Sequence, residues 1–205
     1  FCSFVMMNQI HFLFSSPDMG FAKHNRGAIS LQVLDSGDHY ASILEQELKK
    51  MPEIEEFIID YNYPIPNGFQ KTMDVKTENI EKQQFLYTEA DEHYFRFMEL
   101  QMVDGEFITT KDDPKMVCIN ETAARMLGDQ GKVGGKVKWG GETDLEVKGI
   151  VKDLSYMSPT TPTQPLLFTR RESNLQNNYI IYIPIRWKEG TDWHELREKV
   201  ESTPG

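Results

Sequence analysis

Cysteine is almost absent. Cys2 and Cys118 are the only two in 205 residues, so no disulfide framework holds the chain and its redox compartment cannot be read from cysteine usage. Runs of positive charge are missing as well: Lys and Arg never stand more than two together, and the formal net charge is -10. That balance argues against nucleic acid or an anionic lipid surface as partner, and a neutral or basic partner fits it better. Long apolar runs are also lacking. The most apolar stretch, "FCSFVMMNQIHFLF", covers 14 residues and carries Asn8, Gln9 and His11, where a membrane-spanning helix needs roughly 20. No basic stretch leads it and no small-residue cleavage site follows, which sets a signal peptide aside. Residues 1–22 are therefore expected to be the trailing end of a transmembrane helix and its connector, the alternative being a partly buried amphipathic helix of a soluble protein.

The usual signatures of catalysis are missing too. "GDQGKVGGKV" carries glycines but fails as a phosphate loop, because Gln130 stands where the first glycine is needed and Val137 where a metal-holding Ser or Thr belongs. Glycines serving tight turns explain it. "WHELR" begins like a zinc-protease helix, yet Arg197 and Glu198 replace the second histidine, leaving one ligand. His11, His24, His39, His93 and His194 are scattered. No serine occupies a G-x-S-x-G elbow, and Cys118 lies in an alternating strand where burial as a small apolar residue is its ordinary role. No catalytic, cofactor-binding or metal-binding residue is assigned.

A hydrophobic fraction of 39% beside 26% charged residues marks a chain that folds rather than a disordered one. "AISLQVLD" alternates as a strand. "DHYASILEQELKKM" places Tyr40, Ile43, Leu44, Leu48 and Met51 at helical intervals, with Ser36 or Asp38 as cap, Lys49 and Lys50 in the last turn and Pro52 as the stop. "IEEFIIDYNY" reads as the next strand, completing a strand–helix–strand unit. "TMDVKT" and "QQFLYTEA" can pair as shorter strands, and Tyr94, Phe95, Phe97, Met98 and Leu100 suggest a short helix ending before a turn at Asp104 and Gly105.

"MVCINETAARMLG" changes period halfway: Val117 and Ile119 alternate as a strand, then Ala123, Ala124, Met126 and Leu127 cluster at helical spacing. Asn120 is the expected cap and Glu121 a first-turn carboxylate that stabilises the helix and repels anions, so this junction reads as scaffold. Val137 and Trp139, a turn at Gly140 and Gly141, and Leu145, Val147 and Val151 predict a β-hairpin. "NNYIIYIPIRWK" predicts a strand with Pro184 at an edge or bulge. "TDWHELREKVES" predicts a helix capped by Thr191 with Trp193, Leu196 and Val200 on one face. The last strand and helix repeat the style of the first unit, which suggests a discontinuous domain with a β-rich insertion.

In order, "DEHYFRFMELQMVDGEFI", "VCINETAARMLG", "VGGKVKWGG", "LEVKGIVKDLSYMS", "QPLLF" and the closing strand and helix resemble the MacB-like extracytoplasmic domain of FtsX/MacB-type ABC-transporter permeases. The match covers about residues 20 to 203 and is strongest from Asp91 to Phe168. Two departures stand out: Gly134 and Gly135 occupy a place where many relatives have one glycine and a larger neighbour, and the N-terminal α/β part carries no diagnostic motif. The resemblance implies an α+β fold. A porter-like α/β subdomain would be made of residues 23–90 and 172–205, and an inserted β-rich, sabre-like subdomain of residues 91–171.

It also implies a non-enzymatic module of a bacterial inner-membrane permease, lying on the extracytoplasmic, periplasmic side. Its partners would be a cognate ABC ATPase, a second permease subunit, and an external substrate or partner protein. Efflux, lipoprotein release and control of a cell-wall hydrolase share this module and are not distinguished by any motif here. The rival reading is a soluble hydrolase or ligand-binding protein whose site is assembled from distant residues.

Within this reading, "DLSYMSPTTPTQP", residues 153–165, is the candidate contact surface. Its prolines limit the backbone freedom lost on docking, and Tyr156 and Met157 supply an aromatic and an adaptable apolar anchor. The alternative is a structural crossover with both side chains packed inward.

Overall fold

A computed structural model of the chain describes residues 24–32, 37–59, 71–76, 82–140, 143–154, 162–170 and 180–202, with backbone alone at 30–32, 37–41 and 180–182. The apolar opening segment and the pair Tyr156 and Met157 lie outside the described residues. The described elements divide between two compact units, one within Pro64–Glu172 and the other within Lys23–Tyr63 and Ser173–Gly205.

The unit built from both ends begins with β1 (Arg26–Gln32), α1 (Gly37–Leu48) and β2 (Ile54–Phe57) and closes with β10 (Ile180–Trp187) and α4 (Trp193–Glu201). β10 lies between β1 and β2 and is antiparallel to both. β1 and β2 therefore run parallel, with α1 as the crossover that parallel strands require. Leu44 and Leu48, one turn apart on α1, are buried with Ile183 and Ile185, and Ile29, Met51, Phe57, Trp187 and Val200 pack around them. α1 ends at Leu48, a turn earlier than its charge pattern suggests. Lys49 and Lys50 fall just beyond it and reach back to Glu45 at 2.7 Å and Glu47 at 2.6 Å.

Two local expectations need correcting in this unit. Pro184 sits in the central strand, not at an edge. Its carbonyl accepts the Ile58 N–H at 3.0 Å, so its own nitrogen faces the same side, just past the point where β2 ends at Phe57; the ladder stops where the donor is missing. The cap of α4 is Asp192, whose carboxylate accepts the His194 N–H at 2.8 Å, and not Thr191.

The second unit contains β3 (Lys71–Lys76), β4 (Gln83–Ala90), α2 (Glu92–Phe97), β5 (Met102–Gly105), β6 (Met116–Asn120), α3 (Glu121–Leu127), a 3-10 turn (Gly128–Gly131), β7 (Lys136–Trp139), β8 (Thr143–Val151) and β9 (Leu166–Arg170). The strands run β5-β8-β6-β9-β4-β3-β7, and β7 pairs again with β8. Six strands thus close into a small barrel, which removes free edges along the ring. β5 adds to β8 beyond the barrel, opposite Gly149–Val151, where the sequence suggests only a turn. The pairing of β3 with β4 and the β7–β8 hairpin follow the sequence pattern. However, β3 and β4 belong to the barrel, so the break between the units falls at Tyr63 and Pro64 rather than after residue 90.

Period-two alternation decides what fills the barrel. Met73, Val75, Phe85, Val117, Ile119, Val137, Leu145, Val147 and Leu167 form one buried cluster, and α3 adds Ala123 and Leu127 to it. At about 1.5–3 kcal/mol for each large apolar side chain fully buried, this cluster is the main source of the unit's cohesion. The opposite faces of β9 and β6 carry Phe168 and Cys118, which stand opposite one another in register. α2 lies over Phe168: the Phe95 ring meets it edge-on at 5.3 Å and stacks on Phe107 at 4.5 Å.

Candidate functional site

The site with the best structural definition is the β6–α3 junction and what it holds. Asn120 is fully buried, and its side chain makes three hydrogen bonds. Its Oδ1 accepts the Ala123 N–H at 3.0 Å, capping α3, and the Leu166 N–H at 2.9 Å, at the start of β9. Its Nδ2 donates to the Gln164 carbonyl at 2.9 Å. One amide thus ties β6, α3 and the entry to β9 together, which its role as a cap alone does not reveal.

The next residues grip the end of β8. Glu121 Oε2 accepts the Asp153 N–H at 3.0 Å. The Asp153 carboxylate accepts the Thr122 N–H and the Thr122 hydroxyl, each at 2.8 Å, and Arg125 Nη2 at 2.9 Å. Asn120 to Arg125 therefore clamp both feet of the segment leaving β8 at Asp153 and returning at Gln164. The candidate contact residues Tyr156 and Met157 belong to that segment by sequence, and their own positions are outside the described residues. Two N–H groups of the first turn of α3, those of Thr122 and Ala123, are taken by protein carboxylate and amide acceptors, which leaves less of that turn to hold an anion. Glu121 does stand in the first turn as expected, but its hydrogen bond goes to the neighbouring chain segment.

A second polar group braces the chain between β5 and β6. The Asp112 carboxylate accepts the Thr109 N–H at 2.7 Å, the Thr109 hydroxyl at 3.0 Å and Lys148 Nζ at 2.7 Å. Burial works against its ionisation, yet the hydrogen bonds from Lys148 and Thr109 outweigh this and hold the carboxyl below its ordinary 3.8. Arg170 Nη1 donates to the Asp112 carbonyl at 2.9 Å, and Glu92 accepts from the Thr110 N–H and hydroxyl at 2.9 and 3.1 Å. Beneath this brace, Cys118 Sγ faces the Glu106 carbonyl at 3.5 Å, and burial pushes its thiol up to about 12. A thiol so protonated and enclosed is a poor nucleophile.

The other sequence candidates are dispersed. His93 lies on α2 in the barrel unit, and His194 on α4 in the other. Among the described residues no group of three His, Cys, Asp or Glu side chains could hold a metal ion, and no helix is long and apolar enough to cross a membrane. The glycine-rich turn behaves as a turn. Gly134 has φ of +80°, a Cβ on Gly131 would lie 2.4 Å from the Ala124 carbonyl oxygen, and a strand follows at Lys136. Asp153, Thr122 and Arg125 are missed by motif reading because their partners are 28 to 31 residues apart. The one sequence sign is an acidic residue, Asp153, two positions past the buried end of β8 at Val151.

No family model matches the sequence, and none of the curated proteins does. Solved structures do resemble it. The extracellular domain of the ABC-type transporter YknZ from Gram-positive bacteria aligns at a TM-score of 0.53 and 13% identity, over 84% of this chain and 88% of that one. A domain assigned to a permease protein from Porphyromonas gingivalis gives 0.58 and 16%, over 87% and 82%. The periplasmic region of MacB from Actinobacillus actinomycetemcomitans gives 0.54 and 15%, over 86% and 81%. The mixed helix and strand content, the order of the elements and these three likenesses agree on one point: the chain has the α+β fold of the extracellular and periplasmic domains of ABC-type permeases.

Proposed function

We propose that this chain is the extracytoplasmic domain of a bacterial inner-membrane ABC permease, and that it relays ATP-driven movement of the membrane helices to an external substrate or partner protein. The observation that carries this reading is the likeness of more than four-fifths of the chain to solved extracellular and periplasmic permease domains. The unit formed from both chain ends corresponds to the porter-like subdomain and the barrel unit to the sabre-like one. ATP hydrolysis belongs to a cognate ATPase, and a second permease subunit completes the assembly. The domain itself is not an enzyme. The clamped segment 153–165, with Tyr156 and Met157, is the contact surface. Anchoring both feet to one strand–helix junction supports this, since a loop fixed at its ends loses less freedom on docking.

The test uses Val103, 53% exposed on β5. In the full-length permease, with every cysteine other than Cys118 changed to Ser, Val103→Cys is treated on intact spheroplasts with a membrane-impermeant maleimide. Labelling before lysis is expected, and labelling only after lysis would overturn the placement. The buried Cys118 stays silent in this assay. An environment-sensitive dye on the same cysteine, in proteoliposomes holding permease and ATPase, is expected to respond to ATP. An unchanged signal during ATP turnover would overturn the relay.

A further inference from the structure

We propose that the outer edge of β5 docks an extended basic segment of the external partner protein, which adds to the sheet there as a short strand. Among the described residues β5 pairs only with β8, and its other side meets solvent: Val103, Asp104, Gly105 and Glu106 are all exposed. Two hydrogen bonds decide which backbone groups lie on that side. The Lys152 N–H donates to the Gln101 carbonyl at 2.8 Å and the Glu106 N–H to the Lys148 carbonyl at 3.2 Å. Met102 opposite Val151 and Gly105 opposite Gly149 are therefore the pairs that turn their own N–H and C=O away from β8. Asp104 Oδ1 accepts the outward Gly105 N–H at 2.9 Å. The edge is left with one donor, at Met102, and two acceptors, the Met102 and Gly105 carbonyls. Apolar surface accompanies it. Val103 is the extra residue of a bulge between Met102 and Asp104 and is 53% exposed. Val133, 42% exposed, lies beside Gly105, where an added Cβ would come within 2.9 Å of its Cγ2.

Charge selects the occupant. The Glu106 side chain is 83% exposed, and Lys148, 3.8 Å away, is already engaged by Asp112 at 2.7 Å. A second copy of this chain paired edge to edge would bring Asp104 and Glu106 against carboxylates of the same kind. A bulge and edge charges are the devices by which sheets avoid such pairing. A basic segment is attracted instead, and its N–H groups suit an edge richer in acceptors than in donors. The net charge of -10 steers it the same way. Because Gln101 holds Lys152, β5 starts beside the point where residues 153–165 leave β8, so the edge continues the contact surface proposed above. The inference deepens that reading by naming the class of partner and rests on it for the source of the segment, whereas the pairing itself is a property of this chain.

The probe is a capped peptide of four Lys-Val repeats, added to the 205-residue chain at low salt. At saturation the Met102 amide, followed by NMR, should exchange at least about tenfold more slowly. Asp104→Asn with Glu106→Gln should weaken the Kd at least about threefold, as expected for two exposed charge pairs. Val103→Ser should weaken it about two- to fivefold. Glu189→Gln with Glu198→Gln removes as much charge from the other unit and should leave the Kd within about twofold. A copy of the peptide N-methylated at every residue has no N–H to donate and should leave Met102 unprotected. Peptide binding without protection of Met102, or equal weakening by both double variants, would overturn the proposal. So would a chain that dimerises with Met102 protected in the absence of peptide, since the occupant would then be a second copy. Failure here leaves the maleimide and ATP-response tests of the permease untouched, and failure of those leaves the peptide pairing standing.

Discussion

Single side chains do two kinds of work in the barrel unit. Asn120 satisfies the start of a helix and the start of a strand, both buried, and a carbonyl of the exposed Gln164 beside them. Asn120→Ala removes a cap worth about 1 kcal/mol and leaves the buried Leu166 N–H unpaired at about 1–3 kcal/mol. A loss of about 2–4 kcal/mol is expected in urea unfolding, more than for an ordinary cap replacement. Asp112 gives a pH signature instead. Its folded carboxyl titrates below its ordinary 3.8, so the ionised form stabilises the native chain. That contribution is complete above the ordinary value and disappears as pH falls through the lowered one. The advantage of the native sequence over Asp112→Asn should shrink as unfolding is measured from about pH 5 down to about pH 2. An advantage that stays constant over that range would mean that Lys148 and Thr109 do not hold the carboxylate.

At the level of elements, sequence periodicity reveals most strands and helices but not which of them meet. Val117, Ile119, Leu145 and Val147 are legible as inward-facing because alternation is local, and they are buried. That β4 runs parallel to β9, and that β3 turns to β7, depends on closure of the ring. Nothing in "TMDVKT" or "QQFLYTEA" carries that information, which is why these strands read as part of the first unit. Pro184 misleads for a similar reason: its missing donor reads as an edge, whereas β2 simply ends beside it. The clamp at Asp153 joins residues about thirty positions apart, so only its Asn120 cap was within reach of a local signal.

Capping shows how fine this limit is. Thr191 and Asp192 are both good caps by type, and the backbone chooses the second. Asp192→Ala should therefore cost about 1 kcal/mol in unfolding free energy, and Thr191→Ala only a few tenths. The reverse order would place the helix start one residue earlier.

On the scale of the whole molecule, the two units differ in how much apolar surface they enclose. The barrel has a continuous interior from Met73 to Leu167, with α3 added to it and a second aromatic layer under α2. Among the described residues, the unit built from the chain ends encloses Leu44, Leu48, Ile58, Ile183, Ile185 and Leu196 with a ring of half-buried neighbours. Cooperative unfolding units follow such differences in buried apolar contact, so the end-built unit should unfold first. The three tryptophans report on the two units separately: Trp139 ends β7 in the barrel, whereas Trp187 and Trp193 lie in β10 and α4. With Trp139 changed to Phe, fluorescence follows the end-built unit; with Trp187 and Trp193 changed to Phe, it follows the barrel. The midpoint in urea should be lower for the first variant than for the second, with far-UV circular dichroism of the native chain spanning both transitions. Circular dichroism run on each variant guards against a change caused by the substitution itself. If both fluorescence curves and the circular dichroism curve coincide, the chain unfolds as one body and the difference in enclosed apolar surface does not set the order of unfolding.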